Sequence, residues 1–396
     1  MKILLAHNSY QQRGGEDATF EKERDLLRRA GHEVVEYCRS NFEVQQYSMP
    51  FGQIALAKNA IWSSHTRSEF RQLLLQQRPQ VVHVYNTFTM ISPSIYWACR
   101  DAGIPVVQTL QNFRLSCPTG DFFRAGKVCE ECTQHGLIES LRHGCYRGSR
   151  ATTATVAAML AFHRWNQTWT RMVDRYIALT DFACKKFIEA QLPAEKLTVK
   201  PNFVHPDPGE RQGPGDYALF VGRLSREKGM TTLLSAWERL PKPMLLRIVG
   251  DGPMREQLQA EAAARSLSTV MFAGRLPNQE VMQMIRGAKF LIFPSECYEN
   301  CPTTILEAFA CGVPVITSRL GAMAELVADG RTGLHFRAND PADLAEKVSW
   351  AWSHDGATAS FGHEARAEYE SKYMAQKNYE MLMRIYQSVL PTSCSN

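Results

Sequence analysis

Short apolar runs rich in β-branched residues alternate with stretches of helical period along most of the chain. KILLAH leads into the loop NSYQQRGG. EDATFEKERDLLRRA then reads as a polar-faced helix stopped at Gly31, and HEVVEY as the next strand. The runs PQVVHVY, IPVVQTL and RYIALT repeat the theme, each followed by polar loop residues. Strands this continuously apolar, separated by helices, predict βαβ units and a parallel sheet. HPDPGERQGPGD, from His205 to Asp216, breaks the alternation with Pro and Gly and reads as an interdomain linker. Beyond it the pattern restarts with the strands YALFVG, PMLLRIVG, STVMFAG, KFLIFPS and VPVITS. The helices between them are GMTTLLSAWERL, MREQLQAEAAARS, NQEVMQMIRGA and TTILEAFACG. A last helix is expected at about 375–390.

The expected fold class is therefore α/β, with two doubly wound, Rossmann-like domains. A chain of 396 residues is too long for one ordinary domain. The boundaries fall at 1–203, 204–373 and, for the C-terminal helix and tail, 374–396. Two such domains on a short linker leave a cleft, and open α/β sheets bind ligands at the C-terminal ends of their strands. The loops that follow strands are the places to search.

Charge and composition narrow the class. Residues 1–203 hold 25 Lys+Arg against 18 Asp+Glu, and the remainder 20 against 22. A basic excess suits phosphates or acidic lipids. No nucleic-acid motif accompanies it, so no nucleic-acid partner is expected. The run ATTATVAAMLAF is too short to span a bilayer. The apolar start MKILLAHNSY is too short for a signal peptide and reads as a strand, so a cytoplasmic protein is expected.

Two loops in the second half carry candidate chemistry. GRLSREKG follows the strand YALFVG and leads into a helix, so Arg223 and Lys228 form an anion site suited to a diphosphate. In PSECYENCPTTILEAFACGVPV, Pro302 fits the first helical position and Gly312 the C-terminal cap. Glu299 then lies just before the helix and Glu307 inside it. The backbone N–H groups of Asn300, Cys301, Thr303 and Thr304 are placed to meet a phosphate. Glu307 suits a vicinal diol such as a ribose. Glu296, in the same loop, reads as surface charge. In the first half, RGGED supplies the facing loop, where Gly14 and Gly15 let backbone approach a ligand.

Together these pieces resemble a GT-B fold glycosyltransferase of family 4. RGGED with GHEVV, GRLSREKGM, IVGDGP, FAG and the two glutamates of ENCPTTILEAFACGVPVI occur in the family's order, and DGRTGLHF resembles its usual later segment. The resemblance implies two domains facing across a cleft, with the C-terminal helix crossing back to the first, acceptor-side domain. It implies a retaining, hexosyl-type transfer from a nucleotide-sugar donor without a catalytic metal. Arg223 and Lys228 match the donor diphosphate binders, Glu299 the glutamate beside the donor sugar, Glu307 the ribose holder, and Gly15 the loop facing the phosphates. The acceptor it suggests is a glycan or a polyprenyl-diphosphate-linked sugar of bacterial surface polysaccharide, handled in the cytoplasm or at the inner face of the membrane. Two departures stand out. Asn300 and Pro302 replace the family's glycines, and Gln111 of TLQNF stands where the family has a histidine. His83, Asn86, Gln111 and Asn112 are the candidates for acceptor or sugar contacts. The competing functions are a nucleotide-sugar epimerase of the same fold and a catalytically inactive binding partner. The intact Arg223, Lys228, Glu299 and Glu307 argue against both.

The segment 117–145 is a Cys-rich insert. Cys117, Cys129, Cys132 and Cys145 have the spacing C-x11-C-x2-C-x12-C, which suits a structural zinc, with His135 or His143 as replacement ligands. After it, SRATTATVAAMLAFHRWNQTWTRMVDRY reads as a helix packed on the first domain, with a membrane-surface contact as the alternative.

Overall fold

The computed structural model describes residues 1–47 and 49–391. Ser48, the side chain of Pro50 and residues 392–396, part of the expected tail, lie outside the described set. The chain divides into two compact units. The first comprises Met1–Asp121, Glu130–Lys200 and Tyr379–Asn396, the second Phe122–Cys129 and Pro201–Asn378.

The first unit is built on β1 (Lys2–Ser9), β2 (Glu33–Ser40), β3 (Val81–Asn86) and β4 (Val106–Thr109). After the hairpin β5 (Phe123–Arg124) and β6 (Lys127–Val128) come β7 (Arg175–Ala178) and β8 (Leu197–Val199). The sheet order is β2-β1-β3-β4-β7-β8, and every pair is parallel. β1 lies in register between two neighbours, with Ile3 opposite both Val34 and Val81. Ile3, Leu4, Leu5, Val81, Val82 and Val84 are fully buried, as parallel strands covered on both faces demand. Order reverses between β1 and β3, so their C-terminal loops flank a natural ligand position.

The second unit repeats the plan with β9 (Tyr217–Val221), β10 (Leu246–Val249), β11 (Val270–Gly274), β12 (Ala288–Phe293), β13 (Val315–Ser318) and β14 (Gly333–Phe336). Its order is β11-β10-β9-β12-β13-β14, again parallel throughout. Leu219 of β9 faces Arg247 on one side and Leu291 on the other. The core gathers Phe220, Leu233, Leu234, Ile248, Phe290 and Ile292 under the helix Met230–Glu238. Burying each such side chain contributes roughly 1.5–3 kcal/mol. Here the order reverses between β9 and β12, the two strands whose loops carry Arg223, Lys228 and Glu299.

The last helix, Ala375–Val389, begins in the second unit and from Tyr379 belongs to the first, as expected. Leu382 and Tyr386 are fully buried, and the Tyr386 hydroxyl lies 2.7 Å from Nδ1 of His83. The helix Arg150–Trp165 buries Val156, Met159 and Leu160 with Ala60 and Phe88, which is the packed arrangement rather than an apolar face left open. The Cys-rich insert is divided. Its hairpin belongs to the second unit, where the Phe122 ring meets Tyr298 edge-on with centroids 5.8 Å apart. Among the described residues, no helix is long and apolar enough to cross a membrane.

Candidate functional site

The site assembles in the second unit, where the loops after β9 and β12 touch through their backbones. The N–H of Glu296 donates to the carbonyl of Glu227 at 2.8 Å. Gly229 has φ +68°, and a Cβ there would lie 2.0 Å from the carbonyl oxygen of Pro294. Only glycine fits both the left-handed backbone and this approach. The contact fixes Lys228, the residue before it. Its Nζ reaches Oε1 of Glu299 at 2.5 Å and sits 5.6 Å from the centroid of the Phe293 ring. Ser295 Oγ donates to the same carboxylate oxygen at 2.6 Å. Burial disfavours the Lys228 ammonium, but the facing Glu299 carboxylate outweighs it and raises its pKa. An ammonium has three donors, so pairing with Glu299 leaves capacity for a second anion.

Arg223 is more open. Its side chain is 60 % exposed and pairs with Glu227 at 2.7 Å. Burial of Glu227 favours the neutral acid, but hydrogen bonds from Ser225 and Arg223 prevail and hold its carboxyl below the ordinary value. The two cations therefore stand at opposite ends of one short loop, each steered by its own glutamate.

The helix after β12 spans Thr303–Ala310. Pro302 is its N-cap, not its first helical residue as expected, because its ψ of 113° is extended. Its carbonyl accepts from Ile305 N–H at 3.1 Å, so the N–H groups of Thr303 and Thr304 precede the first closed turn. Asn202 anchors the approach by donating to the Cys301 carbonyl at 3.0 Å. Glu307 is 9 % exposed inside the helix, and Gly312, with φ +67°, follows its C-terminus.

Glu296 corrects the sequence reading. It is 8 % exposed and no surface charge. Thr232 Oγ1 donates to it at 2.6 Å, and the Asn339 amide, with its nitrogen turned to the carboxylate, donates to both oxygens at 2.8 and 2.7 Å. Burial pushes its pKa up. Thr232, Ser295 and Asn339 gave no sequence signal, since each reaches the loops only through the fold.

In the first unit, the RGGED turn is held by Asp17. Its carboxylate accepts from the N–H groups of Gly14 (3.0 Å) and Tyr10 (3.3 Å) and meets His7 Nε2 at 2.8 Å. The Gly14 N–H is thus used within the turn, and a Cβ on Gly15 would meet nothing within 4 Å. His83 is fully buried, with Nδ1 on Tyr386 and Nε2 on Thr109, both at 2.7 Å. These bonds make it structural and remove it from the candidates for a sugar hydroxyl. Asn86 is likewise spent on the Asn8 carbonyl and the Phe88 N–H. Asn112 donates to Glu16 at 2.8 Å and to Tyr10 at 3.3 Å. Burial raises the pKa of Glu16 despite those bonds, and the sequence had not singled it out. Gln111 differs from these, for its Nε2 is buried with no protein partner among the described residues. A buried donor without an acceptor is costly, which fits a group kept for a ligand.

The four insert cysteines are not in disulfides. Cys117 Sγ contacts Thr119 Oγ1 at 3.0 Å, and Cys129 Sγ accepts from Arg124 Nε at 3.5 Å. Cys117, Cys132 and Cys145 belong to the first unit and Cys129 to the second. His143 lies 3.6 Å from Glu131 in a group with Glu139 whose ligand atoms fall within 4.8 Å of one another. His135 closes the short helix Glu131–His135.

Comparison with known proteins places both halves of the chain in described families. Residues 14–202 match the family described as "Glycosyl transferase 4-like domain", and residues 205–368 match "Glycosyl transferases group 1". The D-rhamnosyltransferase WbpZ of Pseudomonas aeruginosa is 32% identical over 168 residues, 42% of this chain and 43% of that protein. The O-antigen chain mannosyltransferase C of Escherichia coli is 28% identical over 183 residues, 46% and 49% of the two chains. The chain thus spans about half the length of the curated relatives it matches. Among solved structures, Anabaena HepE in complex with UDP superposes with a TM-score of 0.72 at 18% identity, covering 98% of this chain and 100% of that one.

Proposed function

The chain belongs to the group 1 glycosyl transferases and has their GT-B fold, and on that premise we propose that it moves a sugar, with retention, from a nucleotide-sugar donor to a glycan or lipid-linked acceptor of bacterial surface polysaccharide. The observation that carries the reading is the Lys228–Glu299 pair at the point where the second sheet reverses its strand order. Departure of a nucleoside diphosphate builds negative charge, and preorganised donors must meet it. Lys228, Arg223 and the Thr303 and Thr304 N–H groups supply that field in this reading, with Asn300 and Cys301 leading into the helix. Glu299 faces the donor sugar, Glu307 takes the ribose hydroxyls and Gln111 offers its amide to a sugar hydroxyl. No catalytic metal is needed. UDP in the HepE complex supports a uridine nucleotide as the first donor to try.

Two finer parts belong to the same proposal. The protein works in the cytoplasm, at the inner face of the membrane where a polyprenyl-linked acceptor lies. Cys117, Cys129, Cys132 and Cys145 hold a structural zinc that pins the insert, as their C-x11-C-x2-C-x12-C spacing suits. Metal analysis of reduced protein should find one equivalent of zinc, and much less would refute that part. For the activity, nucleotide-sugars are screened by thermal shift and the stabilising donor is used in a transfer assay. Glu299→Ala and Lys228→Ala should each abolish most turnover while staying folded at the assay temperature, although loss of the buried partner lowers the melting point. Wild-type turnover in either variant would overturn the site assignment.

A further inference from the structure

The first unit carries an apolar surface that is exposed among the described residues. The helix Pro50–Ile61 has one ionisable side chain, Lys58. One face of it packs through Ala60 onto Val156, Met159 and Leu160 of the helix Arg150–Trp165. The opposite face is apolar too. Phe51 is 86 % exposed and Ile54 68 %, with Met49 at 72 % and Phe42 at 56 % just before them. Apolar side chains on opposite faces of one helix call for a second apolar phase, and a cluster this exposed marks an interaction site.

The charge around it selects the partner. No Asp or Glu occurs between Glu43 and Glu69, while Lys58 and Arg67 do, Arg67 being paired with Asp101 at 2.5 Å. The adjoining segment from Ser140 to Val173 is also free of acids and holds Arg147, Arg150 and Arg171, besides Arg142, which pairs with Glu139, and Arg164, which donates to the Leu115 carbonyl. Trp165, 79 % exposed, ends the packed helix. At the C-terminal end of the helix, a cavity of about 320 Å³ is lined by Lys58, Trp62, His65 and Phe162. A lysine on an aromatic-walled pocket, in a stretch poor in acids and near exposed Phe and Ile, makes up the chemistry of an anionic lipid interface. A second copy of the chain would instead set like charges against each other across a twofold axis.

We propose that Phe42, Met49, Phe51 and Ile54 insert into the surface of an anionic bilayer while Lys58 and the neighbouring arginines hold its lipid phosphates. The inference rests on the lipid-linked acceptor for its purpose only, and vesicle binding can fail while donor binding stands. The test is flotation of the full chain with phosphatidylcholine vesicles, with and without phosphatidylglycerol. Wild type should float with the anionic vesicles and lose binding as salt rises. Phe51→Ser/Ile54→Ser should bind about tenfold more weakly or worse, and Lys58→Glu should show reduced binding, both keeping the wild-type nucleotide thermal shift. The proposal is overturned if wild type does not float with anionic vesicles, or if Phe51→Ser/Ile54→Ser floats as well as wild type. It is equally overturned if sedimentation without lipid shows a dimer that this double variant dissociates.

Discussion

Removing the Glu296 carboxylate should destabilise the second unit even though it removes a buried charge. Glu296→Ala leaves Thr232 Oγ1 and the Asn339 amide without their acceptor in a nearly closed site. Each stranded polar group costs about 1–3 kcal/mol. Relief from holding an ionised carboxylate in a site that raises its pKa offsets part of this, leaving a net loss of about 2–4 kcal/mol. At roughly 2–4 °C per kcal/mol for a unit of this size, the calorimetric transition should fall by several degrees. Glu296→Gln should cost about 1 kcal/mol or less, because its oxygen still accepts from Thr232 and its nitrogen can donate to a turned Asn339 amide. The sign with pH follows from the raised pKa. The folded state holds the Glu296 proton more tightly than the unfolded chain, so wild type loses stability as pH rises from the unfolded carboxyl value through the folded one. Glu296→Gln lacks that loss. Calorimetry across this range, with hydrogen exchange at 229–238 to locate the effect, checks both. An alanine variant as stable as wild type, or a glutamine variant as damaged as alanine, would refute the reasoning.

Gly229→Ala should weaken donor binding more than it weakens the fold, because the added Cβ meets the Pro294 carbonyl and moves Lys228 away from Glu299; nucleotide titration beside a melting curve separates the two. His163 is fully buried, with its pKa pushed down to about 4 by burial, and bonds the Ile61 carbonyl and the Thr168 hydroxyl. The unfolded chain binds its proton first, so wild type should lose up to about 3 kcal/mol as pH falls from near 6.5 through 4. In His163→Gln, followed by urea unfolding, that part of the slope should vanish.

What the sequence made legible was local. Runs such as KILLAH and KFLIFPS are buried on both faces, so their apolar continuity announces a parallel sheet without knowledge of a neighbour. Lys228 and Glu299 were readable because each sits in a loop between a strand and a helix, and their pairing follows from the strand order. Glu296 was not readable, since its partner Thr232 lies 64 residues away and a glutamate in a polar loop looks exposed until the fold closes over it. His83 misled for the same reason, its partner Tyr386 being 303 residues distant on the last helix. Pro302 was misplaced by one position, because its fixed φ suits N-cap and first turn alike and only ψ separates them. Spacing alone did not reveal that the insert's hairpin packs with the second unit.

The central claim is that Lys228 meets the diphosphate of a nucleotide. Isothermal titration of a panel of nucleoside diphosphates into wild type and Lys228→Ala tests it directly. Wild type should bind at least one of them, and loss of a charge-assisted hydrogen bond of about 1.5–3 kcal/mol should weaken that binding about ten- to hundredfold in the variant. No binding to wild type, or equal affinity in both proteins, would contradict the account.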